Sequence, residues 1–409
     1  MAGRGAYRVA LYGAGLGLLA LWGEGEFARY ASAIGSVTWL TLLVASGPEK
    51  AALALIPRPG GPPLERLFTV LAALPFSLCA VVWLVLAAAG GPPAARYAAA
   101  AAVTSGVGCC TVLVALYRLR GRPLADPAAF LGIAAGYAAA VGLAVRPGLT
   151  ASGVLALLVG VLLVVNMALL GGLARQRPAS RRVRPARPAG LAALWAAAVL
   201  GVGELLSAAS VSVLYAVFAA TGDAAQTSQF YLLIVASAVL SAGWGYLLRI
   251  RQPQVVGWLR RSDAGAGWRL AGRLLGAVLA LGVPLTAVLA IAIAWDVPRG
   301  VLGPAAVVLE LAIFATTVSA LLLVENIDAG GRRWSATVAL IQFLTVAVAG
   351  WLLVPTAGAV GGFVALIGGE LIKAAVLRAI VVRRARAAAV ESHVAGPDTA
   401  GRDATVPPL

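Results

Sequence analysis

Polar and apolar positions fall into long blocks along this chain rather than alternating within turns. Apolar runs of about 20 residues, the length that carries an α-helix across ~30 Å of hydrocarbon, follow one another with short polar breaks. The first six predicted spans are Tyr7 to Trp22, Ala28 to Ser46, Phe68 to Ala89, Tyr97 to Tyr117, Pro127 to Val145 and Ala151 to Leu173. The next six are Leu191 to Ala219, Phe230 to Leu248, Leu274 to Trp295, Val301 to Val324, Ser335 to Val354 and Gly358 to Val382. The pattern predicts an all-α polytopic membrane protein of about 12 transmembrane helices.

The polar breaks differ from one another in charge. Every second break is basic: Arg4 and Arg8; Lys50, Arg58 and Arg66; Arg118, Arg120 and Arg122; then the run from Arg175 to Arg187. The series continues with Arg249 to Arg273, Arg332 and Arg333, and Arg378 to Arg386. The breaks between them hold only Arg29, Arg96, Arg146 and Arg299. Lys and Arg are retained on the cytoplasmic side of a membrane, so the alternation predicts both termini inside. Adding or removing one span scrambles it. The first span is followed by Trp22-Gly23-Glu24-Gly25-Glu26 rather than by a small-residue cleavage site, which predicts an uncleaved first helix in the plasma membrane.

The Arg/Pro-rich stretch 175–190 divides the chain into an N-terminal six-helix lobe (1–174) and a C-terminal one (191–384), followed by a polar tail (385–409) expected to be disordered. The halves echo each other. Each second span leads into a basic, partly apolar stretch (Pro48 to Arg66, Arg249 to Arg273), and each third span carries a mid-helix proline, Pro75 or Pro284. Such an echo predicts two lobes related by a pseudo-two-fold repeat around a central cavity.

Composition agrees with this reading. The 409 residues are 61% hydrophobic and only 12% charged, outside the soluble range. The net charge of +16 is accounted for by span ends and anionic lipid head groups, so membrane lipids rather than nucleic acid are the expected partners. Cys79, Cys109 and Cys110 lie within apolar spans as packing residues, and the single His393 sits in the tail. No metal site or cofactor is expected, nor is ATP hydrolysis, since there is no P-loop. No loop is long enough to house acid/base machinery, which argues against an enzyme.

Ionisable groups at membrane depth are costly and default to functional candidates. Glu204 lies roughly 20 Å from the cytoplasmic end of its span, and Glu310 about 14 Å from the outer end of its own. Neither has a basic residue within four positions, and each shares its helix with hydroxyls: Ser207 and Ser210, or Thr316, Thr317 and Ser319. A lone carboxyl there can exchange H+ or hold Na+; the alternative is a neutral carboxyl hydrogen-bonded between helices. Glu370 and Lys373 are spaced i,i+3 and are expected to pair. Arg29, beside Glu24 and Glu26, reads as a solvated helix start or as an outer contact for an anionic head group. Asn166 reads as an interhelical hydrogen bond or a ligand. Trp22, Tyr30, Tyr97, Trp195, Trp258, Trp268, Trp295, Trp334 and Trp351 are expected as interfacial anchors.

Three segments carry a family resemblance. Gly23-Glu24-Gly25-Glu26-Phe27-Ala28-Arg29-Tyr30 resembles the Gly-x-x-x-Phe-x-x-Tyr element opening the second span of polysaccharide (O-antigen type) flippases, within the multidrug/oligosaccharidyl-lipid/polysaccharide exporter (MOP) superfamily. Gly47-Pro48-Glu49-Lys50 through Ile56-Pro57-Arg58 is similar to that family's break after the second span, and Pro355 to Gly362 to the Pro-x-x-Gly-x-x-Gly-Ala turn opening its last helix. The resemblance implies alternating access by two six-helix bundles, a polyprenyl-diphosphate-linked glycan as substrate, and envelope glycosyltransferases as candidate partners. The mid-membrane charges are mostly acidic, which leaves a cation-coupled exporter of small amphipathic compounds as the alternative. A non-transporting scaffold of envelope synthesis is a third reading.

Overall fold

The computed structural model describes residues 2–58, 63–146, 148–175, 187–261, 264–295, 297–327 and 331–394. Among them all regular structure is helix: α1 (Ala2–Val37), α2 (Trp39–Leu55), α3 (Leu64–Ala88), α4 (Pro92–Leu119), α5 (Ala125–Ala144) and α6 (Ala151–Arg175) come first. Then follow α7 (Arg187–Thr221), α8 (Ala224–Arg261), α9 (Ala264–Ala294), α10 (Arg299–Ile327) and α11 (Gly331–Val394).

Ten helical runs among these residues are long and apolar enough to cross a membrane, and the two longest, Gly3–Leu55 and Trp334–Ala387, are 53 and 54 residues. Each holds two spans. The first divides at Gly23, whose φ of 68° and ψ of −172° is a conformation that glycine alone adopts without strain. The second divides at Gly358 (φ 58°, ψ −137°), inside the Pro355 to Gly362 turn. There the Gln226 side-chain oxygen accepts the Ala359 N–H at 2.8 Å and satisfies the new helix start. The chain is a twelve-span, all-α membrane protein.

Three local expectations are corrected. The break expected from Gly47 through Arg58 begins only at Ile56, and α2 runs unbroken through Pro48 to Leu55. Thr38 closes a turn on Gly35 O, its hydroxyl bonds Ile34 O at 2.8 Å, and the Trp39 N–H is taken by Ser212 Oγ at 3.4 Å. Thr38 itself keeps right-handed helical angles (φ −57°, ψ −29°), so the interruption between α1 and α2 is local and the helical path continues through it. The stretch Arg249 to Arg273 is not a loop either: α8 continues to Arg261 and α9 begins at Ala264. The tail stays helical to Val394, where Ala387, Ala388, Ala389 and Glu391 are strong helix formers. Within the 175–190 linker, residues 176–186 lie outside the described residues, as do 395–409 of the tail.

The chain forms two compact units, 1–236 with 342–366, and 237–341 with 367–409. In the first, α4 is the interior helix and packs on α2, α3, α5 and α6. The most apolar window of α4 is 89% buried against 17% for α3. The sequence explains the difference. α4 is built of small residues (Ala99 to Ala102, Ser105, Gly106, Gly108, Cys109, Cys110) that let neighbouring helices come close, whereas α3 presents Leu74, Leu78, Val81, Val82 and Val85 outward to lipid. The hydroxyls of α4 are satisfied on their own helix, Thr104 on Ala100 O and Ser105 on Ala101 O. Cys109 and Cys110 are buried, free packing residues. In the second unit α9 packs on α10, and the Trp244 indole donates to Ala315 O at 3.1 Å.

Trp195, Trp295 and Trp351 are exposed, as interfacial anchors require. Tyr30 and Trp268 are not anchors: at 2% and 6% exposure both are packed inside. Tyr30 stacks edge-on with Trp22 at 6.3 Å.

Candidate functional site

Three polar constellations lie within the spans. The first joins α2 and α7. These helices cross at Gly47 and Gly201, where a Cβ on Gly201 would come 2.8 Å from Gly47 Cα, so only glycines allow the approach. One turn on, the crossing brings Ser46 and Lys50, which share a face of α2 at i,i+4, against Glu204 near the middle of the 35-residue α7. Lys50 Nζ meets Glu204 Oε1 at 2.7 Å, and the Ser46 hydroxyl donates to the other carboxylate oxygen. Glu204 is therefore not a lone carboxyl. Ser207 and Ser210 do not reach it and bond back to Gly203 O and Leu206 O of their own helix.

The pair is half exposed, with side-chain exposures of 44% for Lys50 and 53% for Glu204. A charged pair this open within an apolar body faces water rather than lipid. An ion pair so exposed stabilises by only about 0.5 kcal/mol, so little resists its opening.

The second constellation, α8 with α10, belongs to the other compact unit. Ser237 Oγ donates to Glu310 Oε2 at 2.6 Å. Among the described residues no basic side chain pairs with Glu310. Thr316 and Ser319 bond back to Ala312 O and Ala315 O, so the hydroxyl that reaches this carboxylate comes from the neighbouring helix.

The third is Glu370 with Lys373, 3.3 Å apart on α11 as their spacing predicts. Both side chains are 5% exposed. Breaking a pair buried this deeply costs about 3–5 kcal/mol, far more than opening the half-exposed Lys50–Glu204 pair.

The remaining candidates make contacts nearby. Asn166 is 1% exposed and donates to Gly106 O on α4 at 3.1 Å and to Leu162 O at 2.9 Å. Arg29 pairs with Glu26 at 2.9 Å, its own side chain 64% exposed, while the other Glu26 oxygen accepts the Ala151 N–H at 2.7 Å. Glu26 thus caps the start of α6.

Sequence reasoning missed a network of charges at the basic end of the first unit. Glu49 accepts from Arg118 at 2.7 Å and from Arg4 at 3.3 Å. Asp126 is held by Arg4 at 3.2 Å and Arg118 at 3.6 Å, so one square of charges clamps α1, α2, α4 and α5. Beside it Arg120 pairs with Glu65 and donates to Leu173 O at 3.0 Å. The acids Glu49, Glu65 and Asp126 interleaved with arginine in these breaks were the available signal. Among the described residues no group of His, Cys, Asp and Glu is placed to hold a metal ion.

No protein-family model matches the chain. No curated protein matches it in sequence either. Solved structures do match. An inward-facing multidrug resistance MATE family transporter of the MOP superfamily superposes with a TM-score of 0.59 at 15% identity, over 94% of this chain and 96% of that one. The lipid II flippase MurJ, in an inward closed conformation, superposes with a TM-score of 0.55 at 10% identity, over 95% of this chain and 90% of that one. The chain has the fold that these transporters of the MOP superfamily share.

Proposed function

We propose that this protein is a secondary transporter of the cytoplasmic membrane, with both termini inside, that flips a polyprenyl-linked oligosaccharide by alternating access of its lobes 1–174 and 191–384. The observation that carries this reading is the half-exposed Ser46–Lys50–Glu204 cluster. Lys50 has one ammonium group and two candidates for it, the Glu204 carboxylate and an incoming diphosphate oxygen. A proton or Na+ taken up at Glu204 frees the ammonium for the phosphate; its loss returns the ammonium and releases the head group. The weak hold of an exposed pair suits such an exchange. The fold shared with a lipid II flippase supports a lipid-linked substrate.

The test is depletion in the native cell. Lipid-linked glycan should accumulate on the cytoplasmic leaflet, and wild type but not Lys50→Ala or Glu204→Gln should clear it. An unchanged leaflet distribution sinks this reading.

A second reading, a cation-coupled exporter of small amphipathic compounds, is favoured by Glu310, a carboxylate met by a hydroxyl but by no cation among the described residues. The fold shared with a multidrug transporter supports it too. It predicts lowered drug tolerance and a normal envelope on depletion, with Glu310→Gln reproducing the loss.

A further inference from the structure

The start of α9 and the end of α11, both within the second compact unit, enclose a cleft of about 520 Å³. On α9, Trp268, Gly272 and Gly276 recur at i,i+4,i+8 and form one face, with Arg269 and Arg273 beside it. On α11, Arg378 and Arg386 flank the apolar Val381, Val382 and Ala385. The glycines make the floor. A Cβ on Gly272 would lie 3.6 Å from Val381, and one on Gly276 would lie 3.6 Å from the Arg378 guanidinium, which therefore rests across α9. Trp268 is 6% exposed and forms a fixed wall.

Every charged side chain lining this cleft is an arginine. Among the described residues no carboxylate pairs with Arg273, Arg378 or Arg386, whereas Arg4, Arg118 and Arg120 of the first unit are each matched by acids. Guanidinium groups gathered around one space repel each other unless an anion joins them, and their planar forks fit phosphate oxygens two at a time. The Gly, Val and Ala floor offers nothing polar to a free ion but suits hydrocarbon. The cleft also lies at the basic end of the helices, where anionic head groups gather and basic pockets between spans hold them.

We propose that this cleft binds the phosphate head group of an anionic glycerophospholipid, with Arg273 and Arg378 on the phosphate and the acyl chains leaving along α9 and α11. The site does not depend on what the protein transports, and its test reads binding rather than flipping.

The full chain, purified in neutral detergent, is titrated with phosphatidylglycerol, phosphatidylcholine or sodium diphosphate and followed by native mass spectrometry and thermal unfolding. Phosphatidylglycerol should bind saturably and raise the melting temperature, and phosphatidylcholine should not. Binding of diphosphate as tight as that of the lipid would overturn the lipid assignment. Each arginine removed should weaken lipid binding about fivefold, so Arg273→Gln with Arg378→Gln should weaken it by about 25-fold. Gly276→Leu keeps every charge but fills the place where Arg378 rests, and should weaken binding if the cleft is the site; this covers a double variant that fails to fold. Arg122→Gln with Arg175→Gln, at the basic end of the first unit and outside the cleft, should leave binding within about twofold. Equal loss in that control, or no preference for phosphatidylglycerol in the wild type, would contradict the proposal.

Discussion

At the basic end of the first unit, Arg4, Arg118 and Arg120 are matched by Glu49, Asp126 and Glu65, and the pairs draw α1 to α6 together. At the basic end of the second, Arg273, Arg378 and Arg386 surround a cleft with no paired carboxylate among the described residues. Both ends look alike in a count of positive charge along the sequence. Their difference lies in the acids: the first half sets three among its arginines, while the stretch Arg249 to Arg273 has only Asp263. Basic residues that share one topological role thus divide into a closed structural clamp and an open binding surface.

That contrast can be broken by mutation. The largest effect is expected for Arg120→Ala, which takes the arginine from a Glu65 side chain only 10% exposed and should cost about 3 kcal/mol, read as a drop in unfolding temperature of the purified protein. Arg118→Ala leaves Glu49 and Asp126 to Arg4 alone and should cost about 2 kcal/mol, because these groups are more open to solvent. By contrast Arg273→Ala, measured without lipid, should be neutral or slightly stabilising, since it relieves repulsion. If it destabilised as much as Arg120→Ala, the distinction between clamp and cleft would fail.

Smaller effects sharpen the account of the turns. Gly358→Ala forces a side chain into left-handed φ against Gln226 and should cost about 1–2 kcal/mol in the same unfolding assay. Glu26→Ala removes the cap of α6 and should cost about 1 kcal/mol. Arg29→Ala should cost about 0.3 kcal/mol, because its pair is exposed. A larger loss for Arg29 than for Glu26 would assign the interaction to the wrong partner.

Features that repeat locally were legible in the sequence. Spans and their alternating charge follow from runs of like residues, the Gly358 turn from its resemblance to the turn opening the last helix of the flippase family, and the Glu370–Lys373 pair from one helical turn. Asn166 could be placed because a buried amide in an apolar helix must find a neighbour. What escaped depends on which helices meet. Lys50 and Glu204 are 154 positions apart, and nothing near either announces the other. Lys50 reads as a loop charge because Gly47-Pro48 reads as a break; the helix nevertheless continues there, with α7 packed closely against Gly47. For the same reason the sequence points to hydroxyls on the helices of Glu204 and Glu310 themselves, yet Ser46 and Ser237 supply them from the neighbours. Hydroxyls on a carboxylate's own helix have a nearer acceptor in the carbonyl one turn back.

The claim that most depends on this geometry is that Lys50 and Glu204 exchange partners during movement of a diphosphate-linked lipid. The direct measurement is in proteoliposomes holding the full chain and a fluorescent polyprenyl-diphosphate oligosaccharide, with the outer-leaflet fraction read by a membrane-impermeant quencher. Wild type should move the lipid between leaflets in response to a proton or Na+ gradient, Glu204→Gln should lose that response, and Lys50→Ala should lose movement altogether. Movement at the wild-type rate in Lys50→Ala, or no movement above protein-free vesicles in the wild type, would contradict the account.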